Sequence, residues 1–242
     1  MERYLERLPW KRIRELVPDK IDIVLLPVGT VEAHGASAVG TDNIIPVSIA
    51  ENIAPNINAL IAPVLGYGIT KSLYGYPGSI TIRPENYEPF VTDILKSLKD
   101  IGFKKIIILN GHGGNDTALK NTIREFFFRY GLKIAMIDWW DICGQLVKEF
   151  YGQAGGHGGI DETAMVQAAD ERLVDKSLFD DDTPYLYQHG AAVYPVPGTT
   201  ILYTENEGLP DFDAEKARQY QKKVFTTVEE FIKFILGRWD KI

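Results

Sequence analysis

The sequence predicts an α/β fold in which a mostly parallel sheet is covered on both sides by helices. Three observations carry that expectation. Strand-like and helix-like segments alternate along the chain, the order that βαβ units produce. Two strand candidates, residues 21–30 and 105–110, are almost continuously apolar, as parallel strands buried on both faces are. The glycine-rich polar clusters fall just after strands or at helix starts, where ligands sit in such sheets.

Taken in order, IDIVLLPVGT at 21–30 opens the sheet and a helix follows over 44–53. A second strand is expected at 59–66 and a short third one at 79–83. Residues 85–101 place apolar side chains at helical spacing, with Gly102 as the stop signal. The run KIIILN at 105–110 is another buried strand, leading into N-G-H-G-G-N. A helix over 116–130 is closed by Gly131, and KIAMID at 133–138 is the next strand. Residues 162–169 read as a helix, and 213–234 as a long one with a charged outer face. No repeat, low-complexity tract or linker divides the chain, so a single domain over residues 1–242 is expected.

At 45% hydrophobic and 24% charged residues, the chain has the balance of a globular protein that buries a real core. A net charge of −7 with no basic block speaks against nucleic acid or an anionic membrane as partner. Cys143 is the only cysteine, so no intrachain disulfide can form, in keeping with a reducing cytoplasm. Residues 1–16 mix charged and apolar side chains and lack the apolar core of a secretory signal. No run of about 18 apolar residues suggests a membrane span. A cytoplasmic protein acting on a small molecule is the expectation.

The chemistry-bearing residues lie in three clusters. In G-T-V-E-A-H-G at 29–35, Glu32 and His34 are two residues apart, so in extended backbone they leave on the same face. Asp42, in T-D-N, reaches back from the following loop. Two carboxylates and an imidazole suit Zn²⁺, Mn²⁺ or Fe²⁺, although E-x-H by itself reads equally well as a solvated loop. The second cluster, N-G-H-G-G-N at 110–115, surrounds His112 with glycines that permit sharp turns and close approach to a ligand. The amides around Gly113 and Gly114, before the next helix, suit an anion or a developing oxyanion. The third, G-G-H-G-G-I-D-E-T at 155–163, holds His157, a candidate general acid/base. Glu162 there either binds metal, orients a ligand or stabilises the helix dipole, and Asp161 reads as a dipole partner. Three of the four histidines sit in these segments; His189 has no comparable frame.

The ordered series G-T-V-E-A-H-G…T-D, N-G-H-G-G-N and G-G-H-G-G-x-x-E-T resembles the creatininase (creatinine amidohydrolase) family. The stretch Y-P-G-S-I at 76–80 and D-W-W-D at 138–141 add to the likeness, which spans roughly residues 8–170 and weakens beyond. The resemblance implies a three-layer α/β/α domain with one or two divalent metals per subunit. It makes Glu32, His34, Asp42 and His112 ligands, with Asp42 bridging if two metals bind; a second metal then needs Glu162 to fill in as a further ligand. It places His157 in proton transfer at the substrate and Trp140 over it, with Tyr67, Gly113, Gly114 and Gly156 as further substrate-side candidates. It also implies a homo-oligomer, commonly a hexamer. Some positions depart from the family pattern. Ser37 stands where a second histidine often follows the first H-G, Gly114 where creatininase supplies a metal carboxylate, and Leu73 where a histidine is usual.

The expected function is metal-dependent hydrolysis of the C–N bond of a small cyclic amide or formamide, with metal-activated water as nucleophile. His157 would protonate the departing nitrogen. One alternative is the opening of a cyclic diketone at a C–C bond, as in inositol breakdown, and another is a non-catalytic metal- or ligand-binding protein. A flavodoxin-like nucleotide module is disfavoured, since neither G-x-x-x-x-G-K-[ST] nor a clean G-x-G-x-x-G is present.

Overall fold

A computed structural model describes residues 1–179 and 184–242. The main elements run α1 (Trp10–Leu16), β1 (Ile23–Val28), α2 (Thr41–Ile53), β2 (Ala59–Ile61), α3 (Pro84–Ile101), β3 (Lys105–Asn110), α4 (Asp116–Tyr130) and β4 (Lys133–Asp138). They continue with α5 (Trp139–Ile142), α6 (Gly144–Tyr151), β5 (Gly156–His157), α7 (Ile160–Ala169), β6 (Tyr185–Leu186), β7 (Ile201–Leu202) and α8 (Ala214–Trp239).

Four strands form a parallel sheet in the order β2-β1-β3-β4. Every residue of β1 is buried. Its alternate side chains feed two separate cores, which is why its sequence shows no polar alternation. Ile23 and Leu25 join Ile107, Leu109 and Ile137 against α2, α7 and α8, whereas Val24, Leu26 and Val28 join Ile106 and Ile108 against α3 and α4. Helices on both faces make the fold a three-layer α/β/α arrangement, as expected. The long α8 buries Ala217, Tyr220, Val224, Val228, Ile232 and Leu236 at helical spacing. Its start is capped by the Asp213 carboxylate, which accepts from Glu215 N and Lys216 N.

Three departures from the sequence expectation have local causes. The strand expected at 59–66 stops at Ile61, because Pro63 has no N–H for the ladder; pairing resumes at a single Leu65 bridge to Val28. Residues 79–83 form no strand: Ile80 bridges Val31 alone, in a segment squeezed between Pro77-Gly78 and the helix-starting Pro84. A second, three-stranded sheet, β5-β7-β6, was not expected, since two-residue strands carry no readable period. Among the described residues no helix is long and apolar enough to cross a membrane.

The register pairs Val28 with Asn110 and Asn110 with Asp138, so β1, β3 and β4 end together at one edge. The chain leaves that edge toward Glu32, His112 and Trp140.

Candidate metal centre

The three glycine-rich segments converge beyond this edge. Glu32 and His34 follow β1, Asp42 opens α2, His112 follows β3 and Glu162 opens α7; all five side chains are buried. Asp42 stands between the histidines, with Oδ1 2.8 Å from His34 Nε2 and Oδ2 2.9 Å from His112 Nδ1. Glu32 Oε2 lies 3.4 Å from His112 Nδ1, and Glu162 Oε2 lies 3.6 Å from His34 Nε2. Two donor triads share Asp42: Glu32–Asp42–His112 and His34–Asp42–Glu162, each with its donor atoms within 4.8 Å of one another.

Backbone carbonyls determine which nitrogen of each imidazole carries the proton, because a carbonyl can only accept. His34 Nδ1 donates to Glu32 O at 2.8 Å, and His112 Nε2 donates to Ile69 O at 3.1 Å. The other nitrogen of each ring then presents a lone pair to the Asp42 carboxylate. Such outer hydrogen bonds orient metal-binding imidazoles. His34 Nε2 and Asp42 Oδ2 are also buried without a hydrogen-bond partner. Lone pairs facing each other below 3 Å repel unless a cation lies between them or a proton is taken up. The residues therefore fit a divalent ion.

The charged groups of the cluster shift one another strongly. Burial opposes charge on His34, yet the adjacent Asp42, with Glu162 and Glu32, lifts its pKa to about 10. The same contest lifts His112 to about 9. Burial works against Asp42 as well, but the two imidazoliums hold it well below the usual carboxylate range. Glu162 is pushed up to about 8, chiefly by burial.

His157 packs on His34 with ring centroids 4.1 Å apart. Its Nε2 donates to Ala33 O at 2.9 Å, leaving Nδ1 facing Glu32 Oε2 at 4.0 Å. Burial, and then the His34 charge, press its pKa down to about 3, so the ring is neutral. Gly158 turns the chain at φ +59°, and a Cβ there would meet Thr199 O at 2.9 Å.

Glu32, Asp42, His112, His157 and Glu162 floor a cavity of about 840 Å³. Gly113, Gly114, Gly156 and Trp140 line it, with Lys71, Asp161 and Tyr203 also on the wall. Tyr67, the other substrate-side candidate, is exposed and lies outside this lining. Trp139 is fully buried and belongs to the core, and His189 is exposed against Tyr187. Gly114 has a steric reason for its identity. A Cβ there would lie 2.3 Å from both His112 Nε2 and Ile69 O, so a side chain at 114 would require His112 or the Ile69 backbone to shift. Leu73 packs with Val196 and Ile201 in a small apolar cluster, and Ser37 bonds Thr163.

Two positioning residues escaped the sequence reading. Asn110 donates to His112 O and to the Asp116 and Asp138 carboxylates, and its Oδ1 accepts from His112 N. Asn115 accepts from Ile69 N and donates to Gly29 O, tying the Ile69 segment to the end of β1. Both bracket N-G-H-G-G-N; a polar residue ending a buried strand was the available signal for Asn110, and Asn115 had none.

A parallel α/β/α sheet with a buried imidazole–carboxylate cluster at its carboxyl edge, flooring a cavity, is the build of a metal-dependent hydrolase. Residues 6–231 match the family described as Creatininase: Creatinine amidohydrolase. The chain belongs to the creatininase family and is a hydrolase of that family. It is 29% identical to a creatinine amidohydrolase of Pseudomonas putida over 223 residues, covering 81% of this chain and 85% of that one. It is 28% identical to a 3-dehydro-scyllo-inosose hydrolase of Thermotoga maritima, covering 68% of this chain and 52% of that one. A mycofactocin precursor peptide peptidase of Mycolicibacterium smegmatis is 26% identical, with 72% and 68% covered. In fold, the chain matches a mutant creatininase of Zn-Zn type with a TM-score of 0.83 at 23% identity, covering 96% of this chain and 98% of that one.

Proposed function

We propose that this protein hydrolyses the C–N bond of an amide, using one or two divalent metals held by Glu32, His34, Asp42, His112 and Glu162. The observation that carries the reading is Asp42, whose two carboxylate oxygens divide between His34 and His112 and so complete two donor triads at the floor of a cavity. A divalent ion held by these residues would supply an activated water, its pKa lowered from 15.7 to about 7 in favourable cases, and would polarise a carbonyl.

The protein's own groups supply the rest. His157 is neutral, with its proton on Nε2 and a free Nδ1 facing the donor cluster. It takes the proton of the attacking water at Nδ1 and delivers it to the departing nitrogen, without which an amine leaves poorly. Gly113 and Gly114 begin a helical turn at the cavity wall, where the first N–H groups of a helix lack internal partners and suit a developing oxyanion. Trp140 forms one wall for the substrate. A cavity of about 840 Å³ is large for a small cyclic amide alone, which favours an amide within a peptide-sized molecule. The relative described as a peptide peptidase supports the same direction.

The donor set would equally serve cleavage of a cyclic diketone at a C–C bond, the second reading that the Thermotoga maritima relative supports. Protein purified without chelator is analysed for metal beside His112→Ala, then assayed with creatinine, N-formylglycine, short peptides and a cyclic 1,3-diketone. Bound metal that falls in the variant, with amide turnover, is expected. Diketone turnover alone selects the second reading. Metal binding without any turnover, and with His157→Ala unchanged, identifies a binding protein.

A further inference from the structure

Two consecutive carboxylates at the start of α7 hold the peptide N–H groups on either side of His157. Glu162 Oε2 accepts from Gly158 N at 2.7 Å, and Asp161 Oδ1 accepts from Gly156 N at 3.0 Å. Glu162 has its place in the donor cluster through His34. Asp161 has no such assignment: it is a member of none of the possible metal-holding groups, and among the described residues it forms no ion pair. Yet it is only 5% exposed. A carboxylate serving merely as a helix-dipole partner gains little from burial and loses hydration.

The loop is built around this group. A Cβ on Gly155 would lie 2.3 Å from Asp161 Oδ2 and 2.7 Å from Oδ1, so the backbone at 155 rests directly on the carboxylate. From the other side, β5 pairs with β7 through Gly156↔Leu202 and His157↔Ile201. The backbone of His157 is thus gripped between β7 and two acidic side chains, while its ring is held at Nε2 by Ala33 O.

The geometry points to Asp161 as a positioning residue, whose carboxylate fixes the Gly155–Gly156 backbone and so aims His157 with Nε2 on Ala33 and Nδ1 toward the donor cluster. The proton-carrying role of that histidine rests on the hydrolytic reading above; the positioning does not. A hydrogen-bond acceptor at Oδ1 is the property that matters, so Asp161→Asn, which keeps an oxygen there, preserves the aim. Asp161→Ala leaves the buried Gly156 N–H without a partner and frees the loop.

The test is proton–nitrogen correlation spectra of the histidine side chains in zinc-loaded wild type, D161A and D161N, with His157 assigned from H157A. Wild type and D161N show a single tautomer protonated at Nε2, and D161A shows an averaged or altered one. On the amide probe that the wild type hydrolyses, D161A lowers kcat by about 10- to 100-fold with little change in KM, and D161N recovers most of that loss. If thermal melts show D161A unfolded, D161S, whose oxygen falls one bond short of Gly156 N, takes its place. An unchanged His157 tautomer and kcat in the truncated variant overturns the inference, as does a D161N as defective as D161A. If no probe is hydrolysed by wild type, the hydrolytic reading falls while the spectra still decide what Asp161 does.

Discussion

The two donor triads share Asp42 but stand on different supports. Glu32, Asp42 and His112 lie beyond β1 and β3, neighbours in the main sheet paired over six residues. All three line the cavity. His34, Asp42 and Glu162 depend instead on the turn after β1 and on the 155–159 loop, held by side-chain acceptors and a two-residue strand. In that second triad His34 is fully enclosed and does not line the cavity. The first triad stands beyond the paired strands and lines the cavity with all three members; in the second, Asp42 and Glu162 line it while His34 lies behind them, and its geometry depends on the residues around His157.

Removing the shared member should have the largest effect. Asp42→Ala is expected to abolish stoichiometric metal and all turnover, as read by elemental analysis and assay; a variant that still binds two ions would end the bridging assignment. Next come the single-sided changes. His112→Ala and His34→Ala should each lose one metal equivalent in titrations, with the first also disturbing the cavity-facing position. Loss of all metal in both would show that the triads fill only together.

Gly114→Ala sharpens the comparison, because its Cβ strikes only the His112–Ile69 bond. A destabilisation of about 1–3 kcal/mol and weakened metal at the cavity-facing triad alone are expected. Equal weakening at both would argue against separate supports. Gly114→Glu should not supply a further ligand for the same steric reason.

The pH dependence follows from the raised imidazole pKa values. His34 and His112 bind protons up to about pH 10 and 9 without metal, and these must leave when a metal enters. Apparent metal affinity should therefore rise with pH, by up to about 100-fold per unit near neutrality if two protons are displaced, with protons released to the buffer. In the metal-free protein the stability from these charged histidines is full below their unfolded value of about 6.5 and is lost as pH rises through 9 to 10. The melting-temperature gain on adding metal should widen over that range. A pH-independent affinity between 6 and 8 would contradict the assigned pairs. The smallest effect is expected for Trp140→Ala, a several-fold rise in KM with metal content unchanged, since the ring is a wall of the cavity and not a donor.

Much of this was legible in the chain itself. Both faces of β1 and β3 are buried, so their apolar runs announced a covered parallel sheet before any packing was known. Helices α3 and α4 were readable from their apolar spacing and the glycines that end them. The candidate donors Glu32, His34, Asp42, His112 and Glu162 could be named from the chain because glycine-framed histidines and carboxylates cluster at strand ends and helix starts and because their order resembles a known family's motifs. What remained hidden was the geometry set by distant contacts. The placement of Tyr67 outside the cavity, the roles of Asn110 and Asn115, and the grip of Asp161 on Gly156 each depend on which backbone lies alongside, and sequence spacing carries no record of that. Local periodicity and turn chemistry determined the elements and the donor types. Only the tertiary structure decided how the donors divide around Asp42, because that division depends on the register of β1 against β3 and on where the 155–159 loop comes to rest.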